Sequence, residues 1–333
     1  MSAHIKAISY YLPEKILTNE ELSVIFPQYT PEEIYKRTGV LERHISGDSE
    51  LPSDMAIHAF DKLISEHGIK PEEIDFLIFC SMIPDRMGPA TSSILQEKLQ
   101  LPKHSGGIDL PMGCSGYVYA LALANSLIVA GTATNVLILA GDCTTKTVEE
   151  SDHTFRFILG DAMSASVISR SPDNQIGAFL FGTDGSGADA LIIRGENAKE
   201  KVNAELKHDS SLNKTMPFGK FYMDGTGVLS LTLKNIPPMI NEMLVKEGLS
   251  IDDIDMFVFH QAGSFMLEKL RKKLEIPTEK FFSNNETKGN TSSATIPIAL
   301  YDALKAGSIK KGSKVLLAGY GIGFSWGCTI VTI

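Results

Sequence analysis

The strongest constraint on this chain is that it matches itself. Residues Ile69–Cys80 (IKPEEIDFLIFC) and Leu249–His260 (LSIDDIDMFVFH) align at an offset of 180 residues. Each runs from a polar turn through an acidic pair into an apolar strand. Each follows a stretch of helical pattern, residues 54–68 and 234–248, that closes on a glycine placed as a helix C-cap. A second pair, residues 113–131 and 289–307, has equal length. Both members open on Gly and a small polar residue, continue as helix and end in Ala-Gly, ahead of the strands NVLILAG at 135–141 and KVLLAG at 314–319. A chain that repeats helix, strand, helix, strand is expected to be an α/β protein with helices covering sheets on both faces. The repeat makes it two similar halves, 1–172 and 173–333, meeting at the turn-rich Ser171-Pro172-Asp173-Asn174. Polar residues 195–220 read as an insertion, either a cap or mobile loop over a site or plain solvated surface.

Composition narrows the function classes. With 43% hydrophobic and 21% charged residues the chain has enough apolar content to fold throughout. A net charge of -9 and a pI near 5.4 argue against general nucleic-acid binding, which needs a basic footprint. The start MSAHIKAISYYLPEK lacks signal-peptide features, and the apolar run Tyr117–Ala130 is too short and alanine-rich to span a bilayer, so a cytoplasmic protein is expected. Cys80, Cys114, Cys143 and Cys328 are scattered without CxxC spacing, which indicates neither a disulfide framework nor a zinc site. An important cysteine here is a thiol.

The repeat puts Cys114 and Asn290 at equivalent helix starts and Cys80 and His260 at equivalent strand ends. At the first turn of an apolar helix, unpaired N–H groups and the helix dipole would stabilise a Cys114 thiolate. Gly113 and Gly116 allow a tight strand-to-helix turn and close approach of a substrate. His260, followed by Gln261-Ala262-Gly263, would emerge at a cleft mouth. Taken singly, Cys114 is equally a small buried apolar residue, His260 a satisfied polar group and Asn290 a helix N-cap. Together they form a set that takes up an acyl group as a thioester and stabilises an enolate oxygen. That describes a decarboxylating Claisen condensation, which needs no metal or redox cofactor.

At these residues the sequence resembles the β-ketoacyl-acyl carrier protein synthase III family. The resemblance is carried by YLPEKILTNEEL at 11–22, RTGVLERHI at 37–45, the Cys114 segment, ILGDAMSA at 158–165, FHQAG at 259–263, GNTSSATIP at 289–297 and GYGIGFSWG at 319–327. It implies a homodimeric thiolase-like fold layered α-β-α-β-α, with Cys114, His260 and Asn290 as catalytic residues. It further implies an oxyanion hole from the backbone N–H groups of Cys114 and Ile322, acyl-CoA or acyl-carrier protein as substrates and no cofactor. Arg37, Gly88, His153 and Gly263 fall at substrate-binding positions, several of them altered. Glu33 stands for a tryptophan and His153 for an arginine that would hold the coenzyme A adenine; stacking is worth about 1–3 kcal/mol per base, so acyl-CoA is expected to be a weakened donor. Ile322 replaces a glycine, Gly263 an asparagine, and Gly88 a phenylalanine that blocks the acyl pocket across the dimer. A deeper pocket for a medium or branched acyl chain follows. Lys269, Arg271, Lys272 and Lys273 could dock an acidic carrier protein or form a solvated face.

Other readings fit less well. A thiolase needs a second cysteine in the final glycine-rich loop, but Tyr320-Gly321-Ile322-Gly323 has none. A hydroxymethylglutaryl-type synthase needs a glutamate acid near the nucleophile, and a cysteine hydrolase needs a G-x-C-x-G elbow. An acyltransferase or ketosynthase of secondary metabolism remains open, as does a non-catalytic partner subunit, which would have no physical need for the three polar residues.

Overall fold

The repeat glycines end helices as expected. Gly68 and Gly248 take left-handed φ values of 63° and 67° and close the helices Pro52–His67 and Gly225–Glu247. The second of these begins nine residues ahead of the expected 234, because Asp224 caps it by accepting hydrogen bonds from the N–H groups of Thr226 and Gly227. It then runs through Pro237 and Pro238. Proline offers no N–H to the carbonyl four residues back. The Leu233 carbonyl freed in this way accepts instead from Lys273 Nζ at 2.9 Å.

The computed structural model describes residues 2–193 and 219–333, with the backbone of a short ladder pairing His208–Asp209 with Lys214–Thr215. The rest of the insertion expected over 195–220 lies outside the described residues. Its flanks are joined, since Leu191–Ile193 pairs antiparallel with Phe221–Met223.

Two five-stranded sheets repeat one topology. The first runs Ser2–Tyr11, Ala162–Ser171, Asn135–Asp142, Phe76–Cys80, Gly106–Leu110. The second runs Ile176–Thr183, Ser325–Thr332, Lys314–Gly321, Met256–Phe259, Phe281–Phe282. In each, the first two pairings are antiparallel and the last two parallel. The strands carry apolar residues on both faces because both faces are covered. Ile78, Ile138, Val258 and Leu317 turn to a middle layer shared with Tyr117, Leu121, Ile296 and Leu300 of the helices Gly116–Val129 and Thr295–Lys305. Their neighbours Leu77, Phe79 and Leu139 pack outward on Met55, Phe60 and Leu95, and Phe257, Phe259 and Leu316 on Ile236, Ile240 and Leu270. The result is the layered α-β-α-β-α arrangement, with the central strands of the two sheets ending near the starts of the two middle helices.

Candidate active site

Cys114 lies in the turn that leads from the strand Gly106–Leu110 into the middle helix, two residues ahead of its first residue Gly116. Gly116 N–H donates to the Gly113 carbonyl at 2.7 Å and closes this turn. Both glycines are required by contact: a Cβ at 113 would stand 2.4 Å from Met82 Sδ, and one at 116 would stand 2.4 Å from Cys80 Sγ. The expected thiolate is not what this position produces. Burial pushes the Cys114 thiol up to about 11, a hydrogen bond from the Ile322 backbone opposes that rise, and the charge of Asp142 adds to it. At neutral pH Cys114 is a thiol. Cys114 precedes the first helical turn rather than lying in it, and desolvation outweighs the helix start.

His260 follows the strand Met256–Phe259, its N–H donating to the Ala318 carbonyl at 2.8 Å. It is 1% exposed, and burial pushes its pKa down to about 3, so the ring is neutral. Nδ1 lies 2.7 Å from Thr295 Oγ1, and the Thr295 hydroxyl donates to the Ser292 carbonyl at 3.0 Å. With that single hydroxyl proton committed, the network assigns the ring proton to Nδ1 and leaves Nε2 as an acceptor.

Asn290 precedes the other middle helix, separated from it by the 3-10 turn Ser292–Ala294, so its equivalence with Cys114 is only approximate. Its backbone is fixed on both sides, N–H to the Ile158 carbonyl at 2.8 Å and C=O from Gly160 N–H at 3.1 Å. Asn290 Oδ1 accepts from Ser292 N–H at 3.0 Å, which leaves Nδ2 as the donor end. The strand end Tyr320-Gly321-Ile322 closes over the nucleophile. A Cβ on Gly321, whose φ is 154°, would stand 2.7 Å from Cys114 Cβ and 2.8 Å from its Sγ.

Cys114, His260, Asn290 and Ile322 line one cavity of about 260 Å³, together with Arg37 and Gly263. Met82, Phe155, Leu191, Phe221 and Met223 supply an apolar wall. Two expected substrate-binding residues do not line it. Gly88 sits in an exposed loop with nothing within 4 Å of where a Cβ would be, next to the fully exposed Met87. His153 packs against Tyr29, Nε2 to hydroxyl at 3.1 Å, while the Arg37 guanidinium lies over the same tyrosine ring at 4.8 Å. Glu33 serves in the capping box of the helix Pro31–Thr38, with Thr30 N–H donating to its carboxylate at 2.8 Å. Tyr29 and Arg37 thus stand together beside this mouth.

The basic helix is also less free than its sequence suggests. Arg271 and Lys272 both pair with Glu268, at 2.8 and 3.1 Å, and Lys273 holds the Leu233 carbonyl. Lys269 alone of the four has no acidic or carbonyl partner among the described residues; it lies over the ring of Phe265, which lines the cavity and is 57% exposed. Sequence reasoning passed over Asp142 and Thr295, whose polar atoms are buried beside the site.

Known proteins carry the same frame. Family models for 3-oxoacyl-[acyl-carrier-protein] synthase III and for its C-terminal region match residues 108–185 and 244–333. The β-ketoacyl-[acyl-carrier-protein] synthase III of Streptococcus pyogenes serotype M5 (strain Manfredo) is 32% identical over 336 residues, covering 99% of this chain and 98% of its own. Among solved structures, a 3-oxoacyl-(acyl-carrier-protein) synthase III superposes with a TM-score of 0.95 at 36% identity over 100% of both chains. The 3-oxoacyl-(acyl carrier protein) synthase III of Pseudomonas aeruginosa PAO1 does so with a TM-score of 0.89 at 28% identity, over 100% of this chain and 98% of that one.

Proposed function

Given that this chain belongs to the 3-oxoacyl-[acyl-carrier-protein] synthase III family of condensing acyltransferases, we propose that Cys114 carries the acyl group through the reaction. The observation that supports this most is the meeting of Cys114, His260, Asn290 and Ile322 on one apolar cavity. In the loading step His260 Nε2 takes the thiol proton as sulfur attacks the donor thioester carbonyl. The N–H groups of Cys114 and Ile322 hold the oxyanion, and the departing thiol takes the proton back from His260. A malonyl thioester then loses carbon dioxide, and Asn290 Nδ2, the free donor end of that amide, stabilises the enolate oxygen. The enolate carbon attacks acyl-Cys114, the carbon–carbon bond forms, and the expelled Cys114 thiolate regains a proton from solvent. These steps balance without a redox or metal cofactor.

The acyl chain would lie along Met82, Phe155, Leu191, Phe221 and Met223, which suits an aliphatic chain. A homodimer fits the exposed edge strand Gly106–Leu110, where Ile108 is 45% exposed, and it would bring the Met87–Gly88 loop to a partner's pocket. Gly88 at that place favours a medium or branched chain. An acidic carrier protein would meet Lys269 and Phe265 at the cavity mouth, with Arg37 and Tyr29 beside the carrier arm. Four buried thiols suit the reducing cytoplasm. Intact-mass measurement after incubation with acyl-CoAs and acyl-carrier proteins of graded length tests the assignment. An adduct is expected in wild type and absent from Cys114→Ala, with carbon dioxide released on adding malonyl-carrier protein. An adduct that survives Cys114→Ala would overturn it.

A further inference from the structure

The two sheets differ sharply at one equivalent place. Their central strands Asn135–Asp142 and Lys314–Gly321 end on an aspartate in one half and a glycine in the other. Gly321 gives Cys114 room. Asp142 is 1% exposed and has no cation paired with it among the described residues. A buried carboxylate without a counter-ion is expensive unless its oxygens are hydrogen-bonded.

The two oxygens face both sides of the nucleophile. Oδ1 accepts from Ser81 Oγ at 2.7 Å, Met82 N–H at 2.7 Å and Ile83 N–H at 3.3 Å. Asp142 Oδ2 and the Ser292 hydroxyl are both buried without a hydrogen-bond partner among the described residues, and the hydroxyl is near enough to oppose the rise of the Asp142 pKa. Met82 packs on Gly113 beside Cys114 and lines the cavity. Ser292 fixes Asn290 Oδ1 through its N–H, accepts from Thr295 through its carbonyl, and holds a left-handed φ of 56°. That conformation is uncommon for a residue other than glycine and needs surroundings that enforce it.

We propose that Asp142 is a positioning residue of the condensing site, one carboxylate that clamps the Ser81–Ile83 turn from one half and the Asn290–Ser292 turn from the other around Cys114. The inference rests on the reading of Cys114 as the acyl carrier. A second consequence follows from charge. The negative charge of Asp142 disfavours the thiolate at the buried Cys80, Cys114 and Cys143. Asp142 thus helps to keep Cys114 protonated until a donor arrives.

Two variants separate position from charge. Asp142→Asn keeps the shape and the Oδ1 acceptor but loses the charge; Asp142→Ala loses both. In Asp142→Asn the pH profile of Cys114 alkylation by iodoacetamide, read by intact mass, is expected to move to lower pH, raising the rate at pH 8 by about threefold or more. In Asp142→Ala decarboxylative condensation is expected to fall by about tenfold or more while Cys114 still alkylates. A merely structural aspartate would not move the alkylation profile, so an unmoved profile in folded Asp142→Asn overturns the charge role. Wild-type condensation by Asp142→Ala overturns the clamp. Should Asp142→Ala fail to fold, Ser81→Ala, which removes one bond to Oδ1 and has its fold checked by thermal melting, tests the clamp in the same condensation assay, and wild-type condensation there overturns it. Alkylation reads the thiol whether or not Cys114 carries acyl groups, so these failures are distinct from an adduct that ignores Cys114→Ala.

Discussion

Replacing Gly321 by alanine tests the geometry of the site with one methyl group. The new Cβ would stand 2.7 Å from Cys114 Cβ and 2.8 Å from Cys114 Sγ. Carbon contacts are optimal at about 3.5–4.0 Å, so roughly 0.8 Å or more of overlap must be removed. The backbone cannot easily absorb it, because φ at Gly321 is 154°, a region that is nearly glycine-only and costs about 1–3 kcal/mol for other residues. The strand end must move, and it carries the Ile322 N–H that meets the Cys114 sulfur. Loss of one oxyanion donor costs about 10²–10³ in kcat. Gly312→Ala is the control: φ is 89° there, and nothing lies within 4 Å of the added carbon, so it carries backbone strain without the clash. The assay compares kcat for condensation with the unfolding free energy of both variants. Gly321→Ala should lose about 10²-fold or more in kcat, and Gly312→Ala should lose stability alone. Near wild-type kcat in a folded Gly321→Ala would refute the placement of Ile322 N–H at the reacting carbonyl.

Lys273→Met should lower the unfolding free energy by no more than about 0.5 kcal/mol, because water can replace the lysine at the exposed carbonyl that Pro237 leaves without a partner. It should leave the KM for the carrier protein unchanged, whereas Lys269→Glu should raise that KM; the reverse pattern would return Lys273 to the docking surface. Acid sensitivity has an equally definite sign. The folded His260 ring sits near 3, below its ordinary 6.5, so the unfolded chain binds its proton first and stability is lost as pH falls from about 6.5 towards 3. Asp142, raised to about 6 from 3.8, works the other way across 3.8 to 6, since the folded state takes up its proton first. His260→Asn should therefore lose less stability than wild type between pH 6.5 and 4 in urea titrations; an equal loss would show that the buried ring is not neutral.

What could be read from the sequence was local or periodic. The two halves, the helix-ending glycines Gly68 and Gly248, and the layered architecture follow from hydrophobic period and from turn chemistry that each residue imposes on its own backbone. Cys114, His260 and Asn290 came from the repeat because they lie at equivalent ends of equivalent elements. The remainder depended on contacts between distant segments. The helical pattern over 234–248 missed the nine residues ahead of it, and nothing local shows how the carbonyl freed by Pro237 is served, since the lysine that does so is forty residues away. Counting cations on residues 269–273 overlooked Glu268 on the same helix. The ionisation of Cys114 was misjudged because burial, a property of the whole fold, outweighs the helix start.

The same comparison shows where the chemistry comes from. Duplication alone yields two matching strand ends, and matching ends would offer matching groups. Instead Cys80 and His260 occupy one equivalent pair, the thiol turned towards the Met112 carbonyl at 3.4 Å beneath Gly116 and the imidazole lining the cavity. Gly321 and Asp142 occupy another, the glycine yielding space to the nucleophile and the aspartate gathering the turns behind it. A symmetric pair of glycines would leave the Ser81–Ile83 turn without its acceptor. A symmetric pair of aspartates would fill the space that Cys114 needs and set a second negative charge against its sulfur. The site therefore requires the halves to share a fold and to differ at these strand ends, which is why the repeat located the residues without revealing what each one does.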